Sequence, residues 1–221
     1  MTSYFVDLEE QIIWNSFVEK FSINEHQAQQ FKQYFDLIVQ ENQKYNITAI
    51  TGVREIILDH FYDSLSLILF YDMKKIQSLA DVGSGGGFPG IPLAIMCPEV
   101  QVHLIEVNNK KVYFLGLVVA QLGLNNVSIH TDDWRTFLRK SEVFVDLFVA
   151  RASLQLDELI RVFKPSSKFQ ESGLVYWASK KWIATGQERE YLNKCLSYGV
   201  GDKERSLCFF MKNKSQQNLF M

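Results

Sequence analysis

The run Asp81-Val82-Gly83-Ser84-Gly85-Gly86-Gly87-Phe88-Pro89-Gly90-Ile91-Pro92 constrains this chain more than any other stretch. It follows a short apolar segment, residues 78–82, and leads into a segment where Pro92 suits the first turn of a helix. Glycine tolerates positive φ and has no Cβ, so such a cluster lets a ligand lie directly on the backbone between strand and helix. Further short apolar runs follow at 102–106, 127–130, 145–150, 174–177 and 207–211. Helical spacing separates most of them, clearest over 111–122 (Val112, Leu115, Val119 and Leu122 in register) and over 156–163. Short strands alternating with helices predict an α/β fold, a mostly parallel sheet covered on both faces, with ligands beyond the carboxyl ends of the strands.

The first third of the chain reads differently. Leu8, Ile12, Ile13 and Phe17 fall at helical spacing, as do Phe31, Tyr34, Phe35 and Ile38, and then Ile57, Phe61, Leu65, Ile68 and Leu69. Ser22 and Glu25 have the spacing of a capping box, with Ser22 as N-cap. The expected organisation is a helical N-terminal extension over 1–75, an α/β domain over 76–212 and a polar tail over 213–221.

Composition sets the outer limits. Of the 221 residues, 47% are apolar and 14% aromatic, which excludes a disordered chain. No apolar run is long enough to span a bilayer, and the first ten residues lack the basic start and apolar stretch of a signal peptide, so a cytoplasmic protein is the expectation; it is also expected to be a monomer. Cys97, Cys195 and Cys208 form no close pair, and with His26, His60, His103 and His130 they give no metal-ligand spacing. Three reduced thiols and no metal are expected. The formal charge of −2 counts mildly against a nucleic-acid binder, although a local basic patch would suffice. Basic clusters stand at Lys74-Lys75, Lys110-Lys111, Arg135 with Arg139-Lys140, Lys164 with Lys168, and Lys180-Lys181.

Two cofactor readings compete at the glycine loop. Gly85-Gly86-Gly87-Phe88-Pro89-Gly90 fits the dinucleotide fingerprint G-x-G-x-x-G. The longer frame, Asp81-x-Gly83-x-Gly85-x-Gly87, resembles the first motif of class I S-adenosylmethionine-dependent methyltransferases, an acid two residues ahead of G-x-G-x-G. That frame puts Asp81 at the strand end, where it can face the amino-acid end of the cofactor. Glu106 ends the second strand, where an acid grips a ribose diol in both families. The methyltransferase frame is preferred.

The resemblance extends along the chain. The loop 81–95 is similar to that of the bacterial 16S ribosomal RNA guanine-N7 methyltransferases, the glucose-inhibited division protein B family. Tyr45-Asn46-Ile47-Thr48-Ala49-Ile50 resembles the family's Y-N-L-T-[AS]-[IV], and His60-Phe61-Tyr62-Asp63-Ser64-Leu65 its H-x-x-D-S-[LI]. Further along, Lys110-Lys111-Val112-Tyr113-Phe114-Leu115 resembles K-[KR]-x-x-F-L, Ala150-Arg151-Ala152 resembles [ST]-R-A, Ala178-Ser179-Lys180 resembles A-L-K, and Glu204-Arg205-Ser206-Leu207 resembles E-R-x-L. The resemblance implies a Rossmann-like, mostly parallel seven-stranded sheet. It also implies methyl transfer from S-adenosyl-L-methionine to N7 of one guanine in the decoding region of small-subunit ribosomal RNA. By motif it implies cofactor contacts at Gly83, Gly85, Phe88, Trp134, Arg135 and Arg151, beside Asp81 and Glu106.

Four residues, at three places, depart from the family's pattern. Trp134-Arg135 stand where small and acidic residues are common, so either a main-chain contact or Asp132 or Asp133 takes over there. Asp59 stands where a basic residue commonly precedes the histidine, and Lys181 where a glycine follows the lysine. Guanine N7 has an in-plane lone pair and no proton, so its methylation needs no general base, and no catalytic dyad is legible in the spacing. Asn46, His60, Asp63, Arg151, Lys180 and Arg205 are the candidates for positioning substrate. The competing expectations are a small-molecule methyltransferase on the same fold and a non-catalytic RNA- or cofactor-binding module, with a nicotinamide oxidoreductase behind them.

Overall fold

The computed structural model describes residues 7–212. The predicted tail 213–221 and the first six residues lie outside the described residues. Seven strands form one sheet: β1 (Ser78–Val82), β2 (Gln101–Ile105), β3 (Val127–His130), β4 (Leu147–Arg151), β5 (Gly173–Ser179), β6 (Leu192–Val200) and β7 (Lys203–Phe210). Their order is β3-β2-β1-β4-β5-β7-β6. The first five run parallel; β7 is antiparallel to both β5 and β6. The order reverses between β1 and β4, which opens a crevice at their carboxyl ends, the place where such sheets bind ligands.

Alternation along the buried strands sorts the core into two layers. Leu79, Val102, Leu104, Val149 and Val175 face one side with the N-terminal helices. Ala80, Val82, Ile105, Phe148 and Leu174 face the other. The first side is covered by α1 (Leu8–Lys20), α2 (Glu25–Tyr45), a continuous helical stretch over 53–69, α5 (Gly90–Met96) and α6 (Asn109–Leu122). The second is covered by α7 (Trp134–Lys140), α8 (Leu156–Leu159) and a 3-10 turn, Ile160–Phe163; the short α9 (Glu188–Tyr191) precedes β6.

The stretch over 53–69 is not one regular helix. It runs from α3 (Val53–Glu55) through a π-helical segment, Ile56–Tyr62, and α4 (Asp63–Leu65) into a 3-10 turn, Ser66–Leu69. Ile57, Phe61 and Leu65 are buried as their spacing predicts, while Ile68 and Leu69 are only partly covered. The widened turns also bury Asp59, His60 and Asp63. Such π-segments recur at functional sites.

Several expectations need correction. Leu8 and Ile12 are 71% and 57% exposed; α1 buries Phe17, as its spacing predicts, together with Trp14, whose rings carry more apolar area. Phe17 meets Phe31 at 5.3 Å between ring centroids. The cap of α2 is Asn24, not Ser22: Asn24 accepts from the Gln27 amide at 2.9 Å and donates its own to Gln27 Oε1 at 3.1 Å. Ser22 has φ +52° in the turn before it. The buried stripe of α6 is Phe114, Leu115, Val118 and Leu122, so Val112 and Val119 flank the core. Strand β6 is an edge strand of mixed polarity, which presents no apolar run to find.

The expectation of three reduced thiols is overturned as well. Cys195 and Cys208 face each other across β6 and β7, with Cα atoms 4.1 Å apart, and are joined in a disulfide. A separation of 13 residues says nothing about cross-strand register, which is what brings them together. Cys97 is free and buried.

Candidate functional site

The glycine loop is shaped by backbone that side chains would obstruct. Gly83 has φ +69°, and a Cβ there would stand 2.6 Å from Ser153 Cβ on the loop after β4. Gly87 has φ +95°, and a Cβ there would stand 2.6 Å from Ile91 Cγ1. Both conditions exclude an L-side chain. Tyr34, wholly buried on α2, donates its hydroxyl to the Gly86 carbonyl and stacks on Phe88 at 5.3 Å between centroids. The helical layer thus holds the loop from below. No sequence motif marks Tyr34, although it stands on the predicted apolar stripe of α2; only packing reveals its hydroxyl's partner.

Two carboxylates frame the loop. Asp81, at the end of β1, is fully buried; one oxygen accepts from the Gly90 amide at 2.9 Å. Its other oxygen, Oδ1, is buried with no hydrogen-bond partner among the described residues. Burial pushes this carboxyl up to about 7, against the opposing pull of the Gly90 amide and Arg151. Glu106, just past β2, accepts from the amides of Gly85 and Asn108, each at 2.8 Å. A carboxylate offers about four lone-pair sites, so Glu106 keeps acceptor capacity beyond these two bonds.

Beside the loop lies a cleft of about 340 Å³, lined among others by Thr48, His60, Phe88, Lys111, Arg151 and Arg205 with the backbone of 83–86. This size suits a small-molecule ligand. A larger cavity of about 670 Å³ opens around Tyr71, Phe144 and Gly173 at the amino ends of the strands, away from the glycine loop. Topology favours the carboxyl-end cleft as the ligand site.

One charge network builds the far wall. Arg151, at the end of β4, donates to the Asp59 carbonyl at 2.5 Å and to Asp63 Oδ2 at 2.8 Å. It meets His60 Nδ1 at 2.9 Å and lies 5.3 Å over the Phe88 ring. Since Arg151 can only donate, Nδ1 of His60 must be the acceptor. Its proton therefore sits on Nε2, which donates to Thr48 Oγ1 at 2.9 Å. Burial, reinforced by Arg151, lowers the His60 imidazole to about 3, so it is neutral at pH 7. Its ring stacks on Phe88 at 4.1 Å between centroids.

Asp63 has no solvent exposure and accepts from Tyr198 Oη at 2.7 Å as well as from Arg151; Arg205 Nε lies 3.4 Å away. The Asp63 carbonyl accepts from Trp177 Nε1 at 2.9 Å. Asp59, the residue out of pattern, is met by Lys203 at 2.6 Å and Arg205 at 2.8 Å from β7. Its burial would raise its carboxyl, but hydrogen bonds from these two cations outweigh that and hold it below the usual range. Thr48, Tyr198 and Lys203 were not legible as site residues, because long-range register alone brings them here.

The remaining candidates stand apart from the cleft. Asn46 is the exposed, left-handed C-cap of α2, with φ +52°. Lys180 pairs with Glu204 at the surface. Trp134 is buried and donates Nε1 to the Glu158 carbonyl at 2.8 Å. Arg135 forks the Glu158 carboxylate at 2.9 and 2.7 Å. Asp133 caps α7, accepting from the amides of Arg135 and Thr136 at 3.0 Å each.

The glycine cradle, the unpaired Asp81 oxygen and the spare acceptor capacity of Glu106 fit a nucleoside that carries hydroxyl and ammonium donors. Fold, site and the family match given below together define a class I S-adenosylmethionine-dependent methyltransferase. Solved structures share the fold: M. capricolum TrmK in complex with S-adenosyl-homocysteine (15% identity, TM-score 0.52, 70% of this chain and 69% of that one). Another is the human methyltransferase 10 domain containing protein (13% identity, TM-score 0.54, 82% and 96%). The family described as rRNA small subunit methyltransferase G, GidB, matches residues 27–205, and the chain belongs to it. Proteins named ribosomal RNA small subunit methyltransferase G are similar over most of their length. The one from Exiguobacterium sp. (strain AT1b) is 37% identical over 78% of this chain and 73% of its own. The one from Listeria monocytogenes serotype 4b (strain F2365) is 32% identical over 90% and 83%. S-adenosyl-L-methionine is the cofactor, and the chain is a methyltransferase.

Proposed function

We propose that this enzyme methylates N7 of a guanine in the decoding region of 16S ribosomal RNA, in the cytoplasm and as a monomer. The observation that carries the choice of N7 is the state of the cleft's one imidazole. Both ring nitrogens of His60 are engaged, and its depressed pKa makes it a poor base. A nucleophile that must lose a proton would find little help from it. N7 has none to lose.

The bound cofactor supplies an electrophilic methyl group on a sulfonium. The chain's own residues do the rest by position and field. Gly83 and Gly85 let the ligand approach the backbone, Asp81 meets its ammonium, and Glu106 meets its ribose. The side chains of Trp134 and Arg135 are committed to Glu158, so contact with the adenine falls to the main chain of that loop. Arg151, braced by Asp63, Asp59 and His60, presents its guanidinium beside Phe88, where a flat base can stack. Arg205 lines this mouth, and Asn46 and Lys180, at the surface outside it, serve as further RNA contacts.

The test is a methyl-transfer assay with tritiated cofactor on unmodified small subunits, naked RNA and small metabolites, followed by nucleotide-resolution mapping of N7-methylguanine. Label in ribosomal RNA at one guanine N7 is expected. Label confined to metabolites, or to another atom of the base, would sink the assignment.

A further inference from the structure

Arg135 and Arg139 on α7 are separated in sequence from Lys164 and Lys168 by a strand and a helix, yet the fold gathers them. α7 and the 3-10 turn Ile160–Phe163 cover the same face of the sheet, the one away from α2. Between them opens a groove of about 450 Å³ lined by Arg135, Arg139, Arg161, Lys164 and Lys168, with the hydroxyl residues Ser166 and Ser167. Two acids offset these cations. Glu158 pairs with both Arg135 at 2.7 Å and Arg161 at 2.8 Å, and Glu142 lies 3.6 Å from Lys168. Arg139, which donates to the Thr136 hydroxyl at 3.4 Å, and Lys164 are exposed. In a chain with a formal charge of −2, such a concentration does not follow from composition.

We infer that this groove is a phosphodiester-binding track for the RNA substrate, separate from the cofactor cleft; this rests on the RNA reading above. The lining has cations and hydroxyls but no aromatic ring. Single-stranded bases are gripped by aromatic stacking, whereas phosphates need only charge and donors, so the track holds backbone and not bases. A membrane surface would call for apolar side chains among the cations, and the only one in the lining, Leu138, is half-buried. The track also connects with the reaction site through the chain. The loop after Arg151 leads directly into α8, which carries Glu158, and on to Arg161 and Lys164.

The experiment compares wild type with the triple variant Arg139→Gln, Lys164→Gln, Lys168→Gln. Affinity for unmodified 16S RNA is measured by filter binding from low to high salt, with S-adenosylhomocysteine affinity by calorimetry in parallel. Each lost phosphate contact removes roughly 0.7–0.9 from the salt slope, so the triple variant is expected to lose about 2 and to bind RNA at least about tenfold more weakly at low salt. Its S-adenosylhomocysteine affinity is expected to stay unchanged. If the triple variant melts early, the single exposed Lys164→Glu gives the same reading, a slope lower by about 1. An unchanged slope in a variant whose parent binds and methylates RNA overturns the track and leaves the function standing. A wild type that binds cofactor but neither binds nor labels RNA overturns the function and the track together.

Discussion

At Asp81 the proposed cofactor contact implies a coupling between protonation and binding. Its carboxyl sits near 7 because burial disfavours the charge, and its Oδ1 lacks a donor. On the proposed binding mode, a bound ammonium supplies that donor and stabilises the carboxylate. S-adenosylhomocysteine affinity is therefore expected to rise between about pH 6 and 8 as Asp81 ionises. Asp81→Asn should weaken binding and flatten this pH dependence, read by calorimetry at several pH values; a variant with the wild-type pH profile would disprove the coupling. Gly83→Ala is a second residue-scale test. The positive φ and the 2.6 Å approach to Ser153 must both be relieved. Strained backbone of this kind costs of order 1–3 kcal/mol, so cofactor affinity should fall about tenfold or more. Both residues were legible in the sequence because the glycine motif is local: a strand end, a turn and a helix start lie within a dozen positions. The left-handed Ala152, φ +50°, stands opposite this loop and was not legible, since nothing in its identity signals positive φ.

At the scale of elements, the irregular helical stretch over 53–69 is tied to three strands through one buried residue. Asp63 binds Arg151 of β4 and Tyr198 of β6, and its carbonyl binds Trp177 of β5. The side chains of Asp63 and Arg151 are 0% and 11% exposed. Removing one partner of a buried pair leaves the other uncompensated, which typically costs about 3–5 kcal/mol. Asp63→Ala should lower the denaturation midpoint accordingly, and it should depress RNA methylation beyond any loss of cofactor affinity because Arg151 is no longer braced. Stability equal to wild type would show that the network is not a structural tie. A second element-scale prediction concerns β6 and β7. Thiol titration in denaturant without reductant should find one free thiol, Cys97, per chain; three would refute the cross-strand disulfide. The strands of the parallel sheet were readable from their apolar runs. The exact face of α1, the cap of α2 and the existence of β6 were not, because neighbouring elements decide which of several plausible sides is buried.

For the whole molecule, buried neutral imidazoles govern acid stability. His60 and His103 are lowered to about 3 and 4, and His130 is lowered as well, in each case first by burial. The unfolded chain takes up protons below about 6.5 that these folded groups refuse, so their contribution is present above that pH and is lost as pH falls toward 4 and 3. Asp81 acts oppositely: raised to about 7, its contribution is present below 3.8 and lost as pH rises through 7. Three imidazoles against one carboxyl leave a net loss on acidification, about 1.4 kcal/mol per pH unit for each excess proton taken up by the unfolded state. Urea midpoints should therefore decrease from pH 6.5 to pH 4.5, and His103→Gln should shallow the trend. Midpoints that rise on acidification would reverse the assignment.

What the amino-acid order determined unaided was whatever is local: the alternation of strand and helix, the glycine turn, and the acids two residues before it and at the next strand end. Those patterns sufficed for the α/β class and for the cofactor. Only the tertiary structure decided which charges meet. Asp59 finds Lys203 and Arg205 across more than a hundred residues, Arg151 finds His60, and the cations of α7 find those beyond α8. Such pairings depend on sheet order and on how helices pack over it, and side-chain spacing along the chain carries no record of either.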